Sequence, residues 1–207
     1  MDGPLTLGEV TVFGDTSLQE VDQVPADPGF TIWLTGLPGS GKTTLAHLLE
    51  ADLIRLGLPV VVLDGDEVRR KLAKDLGFSR EDRNENVRRI AFVAGCVTRA
   101  GGVAIVAAIS PYAGARAEAR KEIGRFVEVY VRCPLAVCMQ RDPKGLYARA
   151  RRGEVAHVTG LSDPYEEPTD SEVIVSTDRE APRNSLKAIL RYLADRQLVR
   201  LFVPTPD

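Results

Sequence analysis

Residues 36 to 43 read Gly36-Leu37-Pro38-Gly39-Ser40-Gly41-Lys42-Thr43, a glycine-rich stretch that ends in a lysine and a threonine. It follows the apolar segment FTIWLT and precedes a segment with helical spacing, so it predicts a turn between a strand and a helix. Glycines allow successive backbone N–H groups to converge on phosphate oxygens, and the helix N-terminus adds its positive dipole end. We therefore expect a P-loop that binds a nucleoside triphosphate.

Each residue of this loop, together with Thr44, is predicted to contact ATP. Lys42 is expected to reach the β- and γ-phosphates and to act in catalysis, while the Thr43 hydroxyl ligates Mg²⁺. A P-loop alone does not separate a GTPase, a motor ATPase and a small-molecule kinase. The surrounding sequence has to decide between these classes.

Outward from the loop, apolar segments rich in β-formers alternate with helical patterns. The strand-like segments are FTIWLT, VVVLDGD, GVAIVAAIS, FVEVYVRC and EVIVST. Strands that are apolar on both faces and separated by helices are typical of a parallel sheet covered on both sides. The sequence therefore predicts a doubly wound α/β domain over residues 30–207. Residues 1–29 are expected to form an N-terminal extension or arm.

Length and composition limit the class of protein. The chain has 207 residues, 44% hydrophobic and 27% charged, with a formal net charge of −2. This length favours one domain, and the charge gives no indication of nucleic-acid binding. No apolar run approaches the roughly 20 residues of a membrane helix, so we expect a cytoplasmic protein with no membrane partner. Its three cysteines are expected to be reduced.

Two carboxylates follow the second strand, in Asp64-Gly65-Asp66. Ligands of open α/β sheets bind at the carboxyl ends of the strands, so these acids are expected at the site. Arg69, Arg83 and Asn86 come soon afterwards. Acids beside arginines suit an anionic acceptor whose hydroxyl must be aligned, and the chain lacks the NKxD motif of a GTPase. The pattern indicates a small-molecule kinase.

From Phe30 to about Thr177 the chain resembles adenylyl sulfate kinase. The matching segments are GLPGSGKTT, LDGDEVRRKLAKDLGFSREDRNENVRR, ISPY, FVEVYVRCPLAVCMQRDPKGLY and GLSDPYEEP. The resemblance implies a five-stranded, nucleotide-kinase-like core of the P-loop nucleoside-triphosphate hydrolase type. It also implies a mobile helical lid over about residues 141–168. The reaction it implies is transfer of phosphate from MgATP to the 3'-hydroxyl of adenylyl sulfate.

The resemblance also implies roles for single residues. Asp66 becomes the general base for the ribose hydroxyl, Asp64 joins Thr43 at the metal, and Phe78 stacks on the substrate adenine. Arg141 is expected to neutralise phosphate charge at ATP. The remaining expected contacts to adenylyl sulfate are Asp64, Asp66, Arg69, Arg83, Asn86, Ser110, Pro111, Tyr112, Lys144 and Val158.

Ser110 has two interpretations. The family pattern places a phosphoserine at this position, which would imply a covalent intermediate. No histidine lies nearby in sequence to activate the hydroxyl, and a positioned acceptor allows direct in-line transfer. We expect direct transfer, with Ser110 in the substrate loop.

The sequence departs from the family pattern in three places, one of them Lys71-Leu72-Ala73, where the family has GLN. Glu67 stands where asparagine is common, and Val158 replaces an aromatic that sandwiches the adenine. One alternative is therefore a kinase of the same fold with another nucleotide-like or small alcohol acceptor. A second is a non-catalytic nucleotide-binding module derived from a sulfurylase–kinase fusion. We also expect a homodimer, and a functional association with ATP sulfurylase is compatible with the resemblance.

Overall fold

Five parallel strands lie in the order β2-β3-β1-β4-β5 in the computed structural model, which describes residues 29–200. The strands are β1 Phe30–Thr35, β2 Val60–Asp64, β3 Val103–Ala107, β4 Phe126–Arg132 and β5 Val173–Ser176. The helices are α1 Lys42–Arg55, α2 Gly65–Leu72, α3 Arg80–Arg99, α4 Ala113–Ile123, α5 Leu135–Arg141, α6 Leu146–Arg151 and α7 Pro182–Asp195. The arm predicted over residues 1–29 lies outside the described residues except for Gly29.

Helices cover both faces of the sheet because its central strands are apolar on both sides. Ile32 and Leu34 of β1 join a core with residues of α1 and α7, whereas Trp33 between them joins a core with residues of α3 and α4. This alternation is the two-residue period of a strand. The predicted doubly wound α/β fold with five parallel strands is thereby confirmed.

The parallel arrangement brings four connections to one edge of the sheet. The P-loop follows β1, α2 follows β2, the segment from Ala108 to Tyr112 follows β3, and α5 follows β4. Strands β3 and β4 pair with opposite edges of β1, so the order in which strands are added to the sheet reverses at the P-loop strand, although all strands stay parallel. Such a switch point leaves a crevice at the carboxyl ends of the strands.

A third, smaller core lies beyond this edge. Cys133, Cys138, Tyr147 and Val158 pack together there, and they come from the segment after β4, α5, α6 and the segment after α6. Cys133, Cys138 and the exposed Cys96 are free thiols. Among residues 29–200, no helix has the length and apolar character needed to span a membrane.

Candidate active site

A cavity of about 850 Å³ opens at the carboxyl edge of the sheet. Most of the residues predicted to form the site line this cavity. They are Pro38, Gly39, Gly41, Lys42, Thr43, Thr44, Asp64, Asp66, Arg69, Phe78, Arg83, Asn86, Ser110, Pro111, Arg141, Lys144 and Val158. Four predicted residues are not part of the lining, namely Gly36, Leu37, Ser40 and Tyr112.

The P-loop is wound tightly around Lys42. Gly39 and Gly41 adopt φ angles of 77° and 101°, which favour glycine, and Gly41 is the N-cap of α1. A Cβ at Gly36 would come within 2.5 Å of the Val131 carbonyl oxygen. Since neither backbone conformation nor space admits larger side chains there, the loop has to be glycine-rich.

The Lys42 ammonium group is buried against its own loop. It donates to the carbonyl oxygens of Gly36 and Leu37 at 2.9 and 2.8 Å. Burial lowers the pKa of Lys42 to about 8. A desolvated cation held by neutral carbonyls gains a stronger acceptor when a phosphate oxygen arrives, which suits Lys42 to triphosphate binding.

Thr43 and Asp64 bring two hard oxygen atoms together beside the loop. The Thr43 hydroxyl donates to Asp64 Oδ2 at 3.0 Å. Asp64 Oδ1 accepts from the backbone N–H groups of Asp66 and Glu67, so the carboxylate also caps α2. The described residues contain no cluster of three or more His, Cys, Asp or Glu side chains suited to a metal. A hydroxyl and one carboxylate fit Mg²⁺, which keeps waters and substrate phosphates as its other ligands.

Asp66 and Lys144 form an ion pair across the cavity. Asp66 lies in the first turn of α2 rather than at the end of the strand, and Lys144 lies between α5 and α6. Hydrogen bonding to Asp66 raises the pKa of Lys144. Both side chains are 65% exposed, and exposed ion pairs contribute little free energy. This carboxylate can therefore exchange its partner for a substrate hydroxyl at small cost.

The far end of the cavity combines an aromatic face with polar groups. The Phe78 ring is about half exposed, and the Arg69 guanidinium carbon lies 4.6 Å from its centroid. Asn86 is buried, and its Oδ1 atom has no hydrogen-bond partner within the described residues. Buried polar atoms are nearly always paired in native proteins. The free amide oxygen is therefore available to accept a hydrogen bond from a group in the cavity.

Arg83 is held by protein groups on nearly every side. Its Nε donates to the Phe78 carbonyl at 3.0 Å, Nη1 to the Thr159 hydroxyl at 3.0 Å, and Nη2 to the His157 carbonyl. Nη2 also donates to Asp163 Oδ2 at 3.0 Å. Four of the five N–H groups of a guanidinium are thus engaged. A direct contact of Arg83 with substrate stays a prediction, limited to the remaining N–H group.

Ser110 is engaged on both its donor and its acceptor side. Its Oγ accepts from the Trp33 indole at 2.9 Å and donates to Thr35 Oγ1 at 3.1 Å. The residue is buried, and its φ angle of 41° is unusual for a residue with a Cβ. Tyr112, not Ser110, is the N-cap residue of α4. This arrangement favours the expectation of direct transfer over a covalent role for the hydroxyl.

A comparison with known families bears on the same part of the chain. A family profile described as "Adenylylsulphate kinase" matches residues 28–176. The chain belongs to the adenylyl-sulfate kinase family. A probable adenylyl-sulfate kinase from a Synechocystis strain is 53% identical over 171 residues, covering 83% of this chain and 97% of the relative.

Two solved structures of adenylyl-sulfate kinases, also called APS kinases, extend the comparison. APS kinase CysC of Mycobacterium tuberculosis, in complex with AMPPNP and APS, is 43% identical with a TM-score of 0.78. The match covers 81% of this chain and 98% of that one. The hexameric APS kinase from Thiobacillus denitrificans is 36% identical with a TM-score of 0.65, over 86% of this chain and 31% of that one.

Thr177 and Tyr147 join the site of this adenylyl-sulfate kinase family member without having been predicted. Arg141 donates to the Thr177 carbonyl at 2.6 Å, and the Thr177 hydroxyl donates to the Ser40 carbonyl at 2.8 Å. The Tyr147 hydroxyl donates to the Pro38 carbonyl at 3.0 Å. Thr177 directly follows β5, so the rule that ligands bind at strand ends could have found it. Nothing in the sequence around Tyr147 indicated its contact.

Val158, which departs from the family pattern, is largely buried. Its side chain is 3% exposed and packs with Cys133, Cys138 and Tyr147, while a small part of it reaches the cavity. Tyr112 lies under the Arg80 guanidinium at 4.4 Å instead of in the cavity wall. The predicted contacts of Val158 and Tyr112 with substrate stay predictions.

Proposed function

We propose that this protein transfers the γ-phosphoryl group of MgATP to the 3'-hydroxyl of adenylyl sulfate, giving ADP and 3'-phosphoadenylyl sulfate. One observation carries the proposal beyond membership of the family. A single cavity joins the P-loop, with Lys42 and Thr43, to an end that contains Asp66, Phe78 and Asn86. A triphosphate and a nucleotide acceptor can thus meet in line above the strand ends.

At the ATP end, positive charge balances the triphosphate. Lys42 leaves its loop carbonyls for the β- and γ-phosphates, and Arg141 adds a second cation. Thr43 and Asp64 would hold Mg²⁺, which when bound neutralises charge on the β- and γ-oxygens. Backbone N–H groups at the start of α1 complete the phosphate site.

At the acceptor end, Asp66 accepts a hydrogen bond from the ribose 3'-hydroxyl and takes its proton as the phosphoryl group is transferred. Lys144 exchanges its ion pair with Asp66 for a contact to the acceptor nucleotide. Phe78 stacks on the adenine, a contact worth about 1–3 kcal/mol for bases on aromatic side chains. The Asn86 amide oxygen accepts a hydrogen bond from the ribose, and Arg69 lies near the phosphosulfate.

The region around the site supports further proposals. Within the lid predicted over residues 141–168, residues 141–156 close over bound nucleotides and exclude water, which limits wasteful hydrolysis of ATP. Residues 157–163 are already held against the core by Arg83. The protein forms a homodimer, uses cytoplasmic ATP, and receives adenylyl sulfate from an ATP sulfurylase. These proposals rest on the resemblance to adenylyl-sulfate kinases, and each can be tested without measuring the reaction.

An acceptor panel tests the proposed reaction. Purified protein with saturating MgATP is given adenylyl sulfate, AMP or adenosine, and the products are separated by ion-exchange chromatography. We expect a 3'-phosphorylated product from adenylyl sulfate alone. Lys42→Ala is the control and should lose turnover by orders of magnitude, since a phosphate cation is removed without loss of core packing.

Two results would contradict the proposal. Faster turnover with another acceptor would identify a kinase of the same fold with a different substrate. Tight binding of ATP without any phosphorylated product would identify a non-catalytic nucleotide-binding module.

A further inference from the structure

Residues 157–167 begin at the acceptor end of the cavity, where His157, Val158 and Thr159 line its wall, and we call this segment the strap. We propose that Asp163 of the strap is a positioning residue for the acceptor. Its carboxylate holds Arg83 and the strap together, so that this wall of the cavity is formed before nucleotide binds. The identity of the acceptor rests on the proposed function, whereas the link between Asp163, Arg83 and the strap does not depend on it.

The link consists of one largely buried ion pair and two further hydrogen bonds from the same guanidinium. Arg83 Nη2 lies 3.0 Å from Asp163 Oδ2, and the two side chains are 8% and 14% exposed. Arg83 also donates to the Thr159 hydroxyl and to the His157 carbonyl, both in the strap. Because Arg83 belongs to α3, these bonds fix the strap to the core of the domain.

The strap is shaped around this guanidinium. His157 has a φ angle of 60°, which is disfavoured for a residue with a Cβ, and its carbonyl faces Arg83. The backbone N–H groups of Leu161, Ser162 and Asp163 all donate to the Val158 carbonyl. This tight turn brings the Asp163 carboxylate back to Arg83. Without the carboxylate, Arg83 would be a buried charge with neutral partners only, which is costly.

A second anchor holds the far end of the strap independently. The Glu166 carboxylate accepts from the Ala113 N–H at the start of α4, and its backbone N–H donates to the Pro111 carbonyl at 2.8 Å. Arg116 donates to the carbonyls of Ser110 and Glu166 at 2.8 and 2.9 Å. The strap therefore stays attached near Glu166 when Asp163 is changed, and the effect is confined to residues 157–163.

The positions of Arg83 and Phe78 make this link relevant to the acceptor. The Arg83 Nε bonds the Phe78 carbonyl, and its guanidinium carbon lies 5.6 Å from the centre of the Phe78 ring. Loss of the Asp163 carboxylate frees Arg83 to move, and the platform for the adenine moves with it. The hydrogen bonds of Arg83 do not involve the P-loop, and the strap meets that loop at Leu37, which lies beside Gly160 and outside the cavity lining. We therefore expect ATP binding to change less than acceptor binding.

Asp163→Asn removes the charge while keeping the size of the side chain. We expect the KM for adenylyl sulfate to rise about tenfold or more, as when outer-shell partners of metal ligands are removed. The KM for ATP should stay within about twofold of the wild-type value. In the double variant with Arg83→Met, Asp163→Asn should add nothing to the effect of Arg83→Met alone, because Asp163 acts through Arg83.

Asp75→Asn is a matched control. Asp75 pairs with Arg89, also on α3, through two hydrogen bonds of 2.6 and 2.7 Å, and neither residue lines the cavity. The control breaks a more exposed aspartate–arginine pair on the same helix, with side chains 61% and 32% exposed. We expect it to leave both KM values unchanged.

Amide hydrogen exchange of the ligand-free protein tests the link without any substrate. In Asp163→Asn, the N–H groups of Gly160 to Asp163 should exchange faster, while that of Glu166 keeps its protection. An unchanged exchange pattern would overturn the proposal even if adenylyl sulfate were not the acceptor. With adenylyl sulfate as acceptor, an unchanged KM for it, or an equal rise in both KM values, would also overturn it.

Discussion

Replacing Lys42 by Met should alter how the stability of the ligand-free protein depends on pH. The pKa of Lys42 in the folded chain is about 8, below the ordinary lysine value of 10.5, and burial is the main cause. Lys42 therefore carries its charge at neutral pH in a site that disfavours charge. Met has a similar length and no charge, so the variant lacks this titration.

The sign and size follow from proton linkage. Between pH 8 and 10.5 the unfolded chain keeps a proton that the folded chain has lost, so the free energy of unfolding rises with pH. The two pKa values give a penalty of about 3 kcal/mol at pH 7 and about 1 kcal/mol at pH 9.5. From pH 7 to pH 9.5, the free energy of unfolding of the wild-type protein should therefore rise by about 2 kcal/mol relative to that of Lys42→Met.

Urea denaturation of both proteins at pH 7 and pH 9.5 measures this difference. Titrations of other groups affect both proteins alike and cancel in the comparison. Saturating MgATP should abolish the wild-type gain, because phosphate oxygens next to Lys42 raise its pKa. Equal pH dependence in the two ligand-free proteins would refute the buried, desolvated position of Lys42. A relative loss of wild-type stability at high pH would show that the pKa is raised instead.

Three further substitutions test the site. Asp66→Asn should lower kcat far more than ATP affinity, and equal losses in steady-state kinetics and nucleotide titration would make Asp66 a metal or folding residue. Ser110→Ala should retain substantial turnover. Its free energy of unfolding should fall by about 1–3 kcal/mol in a denaturation experiment, because the Trp33 N–H loses its acceptor. A phosphoenzyme that transfers its phosphate to adenylyl sulfate would contradict direct transfer. Val158→Phe should lower the free energy of unfolding by about 1–3 kcal/mol, because the larger ring overpacks the third core. Unchanged stability together with tighter acceptor binding would instead place this side chain at the adenine.

The fold and the ATP end could be predicted because both depend on local sequence. The P-loop motif fixes a strand, a turn and a helix, and apolar segments of strand length identify the remaining strands. The place of Asp64 in the site could be predicted because the residue ends a strand. Asp66 was expected at the same strand end but lies in the first turn of α2, since the Asp64 carboxylate caps a helix that begins at Gly65.

The acceptor end was harder to predict because its contacts join distant parts of the chain. The sequence marks Arg83 as a cation but does not show that Asp163 and Thr159 hold it. Val158 was interpreted by position in a motif, whereas its burial depends on Tyr147 and the two cysteines of the third core. Periodicity reports which face of an element is apolar, and it carries no information on such pairings.

The strand order has a consequence for the synthesis of the chain on the ribosome. Among residues 29–200, the P-loop strand β1 pairs only with β3 and β4, and β2 pairs only with β3. Within this described part of the chain, neither β1 nor β2 has a strand partner until residue 103 has been made, which takes several seconds at about 5–20 residues per second. During that time the apolar β1 depends on chaperones or transient collapse. A substitution that destabilises β3 would therefore reduce the yield of folded protein in cells, while the enzyme kinetics of the molecules that do fold would stay unchanged.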